Sequence, residues 1–72
     1  MNCIAVKKCK NLDGCNVGDT IIVKLDDCFV GKANIVEISE KLNLVGIQPI
    51  GELEKYVSMN HKERYKVEVA PY

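Results

Sequence analysis

The chain has no tryptophan, one phenylalanine, three tyrosines and one histidine among its 72 residues. With so few aromatics, the core must come from Ile, Val and Leu. No apolar run approaches the roughly 18 residues of a membrane-spanning helix. Neither charge is in surplus, because ten basic and ten acidic side chains cancel. Non-specific nucleic-acid binding draws on excess cations that displace counterions, so bulk charge does not argue for it. The opening MNCIAVKK puts its cations after a very short apolar run, the reverse of a secretory signal. A cytoplasmic protein is expected.

Chemistry-bearing patterns are equally scarce. There is no phosphate-binding loop, no catalytic constellation and no closely spaced set of metal ligands. What is present is an ordinary globular mixture, 47% apolar and 28% charged, with no linker or repeat. Residues 1–72 read as one small domain. A chain this short buries only about 60% of the surface its unfolded form exposes. That leaves little room for both a core and an enclosed active site, so no enzyme, catalytic residue or cofactor is expected. The best acidic pair, Asp26 and Asp27, is adjacent within a turn, where the two side chains point apart.

Cys3, Cys9, Cys15 and Cys28 all lie in the first half of the chain. Structural zinc sites bring ligands in as pairs two to four residues apart, and no such pair exists here. In a straight strand Cys3 and Cys9 stand about 20 Å apart, beyond a disulfide or a shared metal. The thiols read as small apolar side chains in a reducing compartment. One pairing stays open, Cys9 with Cys15 across the loop 10–14. His61 is isolated from the thiols and reads as an exposed loop residue rather than a ligand.

Hydrophobic alternation organises the rest, centred on residues 17–38, VGDTIIVKLDDCFVGKANIVEI. A first strand is expected over residues 3–8, with Ile4 and Val6 facing in. In the connection that follows, Asp13-Gly14 and Gly18-Asp19 are turn signals, and Leu12 and Val17 are expected to fold over the barrel end. Strand two is Thr20–Leu25, with Ile21, Val23 and Leu25 inward and Thr20, Ile22 and Lys24 outward. Strand three, residues 29–40, is about twice the usual length. Gly31 and Ala33 allow it to bend or to pass close to another backbone. Near Ile35 and Val36 its parity changes, which predicts a bulge. Residues 39–43, SEKLN, form a polar hairpin turn before strand four, Leu44–Ile50. Pro49 should end that strand or lie on a free edge. Residues 51–60 carry Leu53, Tyr56, Val57 and Asn60 at helical spacing, with Asn60 as a left-handed cap. Residues 65–72, YKVEVAPY, make a last strand that Pro71 closes.

The order β-β-β-β-helix-β resembles the SH3-like small barrel, in which a single helical turn often separates the last two strands. The likeness rests on GDTIIVKL, on the long strand carrying Gly31 and Ala33, and on the turn before YKVEV. It implies a mainly β fold: a small five-stranded antiparallel barrel with one short helix before the last strand. An oligonucleotide-binding barrel would carry its helix where this chain has only SEKLN. The RNA-binding carbon storage regulators share a Gly-Asp before a β run. Residues 51–69 are too long for their pattern, and their basic RNA-contacting residues are not matched. Since the SH3-like fold hosts many unrelated tasks, the likeness implies no particular function.

The favoured expectation is a non-enzymatic protein-interaction module, either a small homo-oligomer or a subunit or inhibitor docking on a larger protein. Ile22, Ile35, Ile47, Tyr56 and Tyr72 are its candidate outward anchors. The alternative is a small barrel that binds RNA or single-stranded nucleic acid. Lys7, Lys8 and Lys10 would meet Lys62, Arg64 and Lys66 on one face, with Tyr65 as a stacking platform. Glu63 and Glu68 interrupt that second cluster.

Overall fold

The structure, a computed structural model, describes residues 3–60 and 65–72. In chain order it contains β1 (Ile4–Lys7), a 3-10 turn (Lys10–Leu12), β2 (Thr20–Leu25), β3 (Phe29–Ser39), β4 (Leu44–Ile50), α1 (Gly51–Met59) and β5 (Val67–Pro71). The strands form one sheet in the order β1-β4-β3-β2-β5, each antiparallel to its neighbour. The sheet curls into a half-barrel around its apolar side, so the expected mainly β small barrel with a helix before the last strand is what the chain forms.

Alternation decides which side is enclosed. Ile21, Val23 and Leu25 are fully buried, while Thr20, Ile22 and Lys24 between them are half-exposed. Val6 is buried and Ile4 half-buried, as expected for β1. Leu12 packs over the barrel end. Val17 does not: it is 60% exposed, because it stands on a turn held to the sheet through backbone bonds of Gly18 and Asp19 to Ile35. Gly14 and Gly18 take the positive φ their turns require.

The bulge falls where the parity changes. Ile35 pairs with Ile47 and Glu37 with Gly46, so Val36 is the extra residue and turns outward. One residue slips, and Ile38 regains the inner side. Pro49 is buried opposite Ala33 near the end of β4. The register shows why it is tolerated. Odd residues of β4 face β1, and the pairing with β1 ends at Ile47, so the missing N–H of Pro49 takes no bond from the ladder.

The helix lies across β3 and β4 and buries Leu53 and Val57. Gly31 makes the approach possible: a Cβ there would stand 2.6 Å from Leu53 Cβ. Asn60 closes the helix differently from the expected left-handed cap. Its φ is −118°, and both its backbone N–H and its Nδ2 donate to the Tyr56 carbonyl, at 2.9 and 3.0 Å. The four cysteines are free, so the open Cys9–Cys15 pairing does not form.

Candidate functional site

The two outermost strands, β1 and β5, run in the same direction with a seam between them. Their Cα atoms stay beyond 8 Å of one another along nearly all of their length. Backbone register tells which groups face that seam. Asp26 N–H donates to Lys66 carbonyl at 2.8 Å, so even residues of β5 bond to β2 and the peptide groups of Val67 and Val69 point away. Pro71 has the same parity, so its missing donor also takes nothing from the ladder. On the other side, Lys8 N–H donates to Asn43 carbonyl at 3.0 Å. Even residues of β1 therefore bond to β4, and the peptide groups of Ala5 and Lys7 face the seam.

Between these edges runs a groove of about 650 Å³. Val6, Lys7 and Asn11 stand on one bank and Val67, Glu68 and Val69 on the other, and the groove continues onto Ile22, Lys24 and Val30. Val67 and Val69 are only half-buried, although their partners Leu25 and Val23 are fully buried. Both valines pack against the core and also line the groove. One end is stopped by the 3-10 turn, where Asn11 Nδ2 donates to Val69 carbonyl at 2.9 Å. That carboxamide does what the N–H of a neighbouring strand would do.

The expected anchors divide. Ile22 lines the groove and Tyr72 is 74% exposed, its hydroxyl accepting from Lys32 Nζ at 3.1 Å. Tyr56 is half-buried and stacks on Phe29 with ring centroids 4.8 Å apart. Ile35 and Ile47 are not outward at all. They face each other across β3 and β4 inside the core. The polar side chains and the glycine of β4, Gly46 and Gln48, carry the opposite parity and mark its outer face.

The basic residues of the nucleic-acid reading are dispersed. Lys7 and Lys10 are exposed near the stopped end of the seam. Lys8 pairs with Glu40 at 2.5 Å. Lys66, at the opposite end of β5, pairs with Asp27 at 2.6 Å, while its backbone N–H donates to Asp26 Oδ1 at 3.0 Å. The pair holds the Asp27 carboxyl below its ordinary 3.8 and the Lys66 ammonium above its ordinary 10.5. Tyr65 is half-buried against the core and donates to the Asn60 carbonyl at 3.0 Å. His61, Lys62 and Arg64 lie outside the described residues.

Other chemistry is sparse. Asp26 and Asp27 sit in left-handed conformations, φ 52° and 59°, in the β2–β3 turn, and both carboxylates hold the approach to β5. Among the described residues no group of three or more His, Cys, Asp or Glu side chains could hold a metal ion. No helix among them is long and apolar enough to cross a membrane. A smaller cavity of about 300 Å³ lies beside the Lys8–Glu40 pair. No family model, curated protein or solved structure matches the chain.

β1 and β5 are legible in the sequence, but the seam between them is not. The signal was there in part: Lys7 and Pro71 stand at positions typical of a sheet edge.

Proposed function

We propose that this chain is a non-enzymatic protein-interaction module, an SH3-like half-barrel that docks on another protein through the seam between β1 and β5. The observation that carries the reading is the pair of strand edges, unpaired among the described residues, that face one another across an apolar groove. An edge of this kind exposes peptide donors and acceptors at fixed spacing, and a second chain satisfies them better than water does when apolar side chains are buried at the same time. The Lys8–Glu40 and Lys66–Asp27 pairs tie turns and strands together instead.

Site-specific cross-linking tests this. A photoreactive side chain replaces Ala5 on the seam in one variant and Leu42, exposed on the β3–β4 turn, in another. Irradiation in an extract of the source cells should give a discrete protein adduct from position 5 and none from position 42. Adducts to nucleic acid, or equal yields from both positions, would contradict the proposal.

A further inference from the structure

We infer that the seam takes one extended peptide strand from a partner protein, running antiparallel to both β1 and β5, with apolar and acidic side chains in alternation. This rests on the reading of the chain as an interaction module and names what the module holds.

Four observations converge on a strand. The first is direction. β1 and β5 point the same way, since each strand of the order β1-β4-β3-β2-β5 reverses its neighbour. Direct closure would need a parallel pair in an otherwise antiparallel sheet, whereas one inserted strand restores alternation on both sides. The second is separation: the edges stand beyond 8 Å over nearly all their length, well past the roughly 4.8 Å of directly paired strands, so they do not close on each other.

Parity is the third. The peptide groups of Ala5 and Lys7 on one edge, and of Val67 and Val69 on the other, face the gap together. Among the described residues only the Val69 carbonyl has its donor, Asn11, which marks where the incoming strand stops. Side chains of that strand alternate in and out. The inward ones meet the buried Val6 and the half-exposed Val67 and Val69, and those two exposed surfaces call for small apolar groups.

Charge is the fourth. Along the groove Lys7 and Lys24 face a single carboxylate, Glu68, and Glu68 lies directly opposite Lys24 in the β2–β5 ladder. Lys7 carries no ion pair among the described residues. An acidic side chain on the outward positions answers it, and a basic one is repelled.

The test uses the full chain, isotopically labelled, and two capped heptapeptides, one alternating valine with glutamate and the other valine with lysine. The glutamate peptide should shift the Ala5, Lys7, Val67 and Val69 amide resonances saturably and slow their hydrogen exchange. The lysine peptide should bind about fivefold more weakly, the scale of one exposed charge pair. Lys7→Glu should reverse that preference. Ala5→Pro removes a donor that faces the seam and takes no bond from β4, so it should abolish the response. If Ala5→Pro fails to fold, the charge reversal at the exposed Lys7 still decides. Equal binding of both peptides, or no protection by either, overturns the strand. Protection of Val67 and Val69 that grows with protein concentration and no peptide means a second copy pairs there, and also overturns it. If the peptides fail while cross-linking from position 5 still yields a protein adduct, the interaction module stands and only its inserted strand falls.

Discussion

Two tyrosines on this surface live in opposite electrostatic settings. Tyr56 shares a hydrogen bond with Cys28 Sγ at 3.4 Å, and this bond together with burial pushes its phenol up to about 12. Tyr72 has the Lys32 ammonium 3.1 Å from its hydroxyl and 4.4 Å from its ring centroid, and the cation lowers its ionisation below the ordinary 10.0. The signs for stability follow. Unfolded Tyr56 loses its proton first, so its contribution is intact below pH 10.0 and disappears as pH rises to about 12. Tyr72 ionises first in the folded chain, so its contribution grows on approach to pH 10.0. Ultraviolet titration, with Tyr56→Phe and Tyr72→Phe to assign the steps, should show one phenol on either side of the ordinary value. Cys28→Ala should bring Tyr56 down and Lys32→Gln should bring Tyr72 up. A shared step at the ordinary value would contradict both contacts.

The helix-on-sheet packing is decided by one missing methyl group. Gly31 has Leu53 Cβ, Cγ and Cα at 2.6, 3.3 and 3.4 Å from where a Cβ would stand, and the nearest of these is too close to the helix backbone to swing away. Gly31→Ala should therefore cost about 1–3 kcal/mol, read from urea unfolding. Adding Leu53→Gly, which removes the Cβ that the new methyl group meets, should give a double variant less destabilised than the two single effects summed. A neutral Gly31→Ala would place the helix elsewhere.

This packing also shows how far the elements could be read from sequence. The bounds of β2 and β4 and the bulge at Val36 follow from period-two alternation, because a slip of one residue exposes a whole apolar set. Gly31 was legible as a site of close approach, but not what approaches it. The outward placement of Ile35 and Ile47 fails for a related reason. Both parities of β4 carry aliphatic residues, Leu44 and Ile50 against Val45 and Ile47, so only Gly46 and Gln48 reveal the outer side. Val17 misled because a hydrophobic side chain on a turn need not reach the core when backbone bonds alone anchor the segment.

At the scale of the whole molecule, the fold was legible and the site was not. Alternation says which side of each strand avoids water, and the helix position says where the sheet is covered. Neither says whether the first and last strands meet. That depends on curl and twist accumulated over five strands, to which no single residue is a guide. The bounds of β5 add to the difficulty: Tyr65 and Lys66 precede the strand, Tyr65 turning to the end of α1 and Lys66 to the β2–β3 turn. The seam is thus a property of topology, which is why it is absent from any motif.

Residue-resolved hydrogen exchange on the isolated chain tests this most directly. At low concentration the amides of Ala5, Lys7, Val67 and Val69 should exchange fast, while those of Val6, Glu68 and Ala70 between them exchange slowly, an alternation along both outer strands. Uniform protection through β1 and β5 would mean that the two strands bond to each other and that the barrel has no opening.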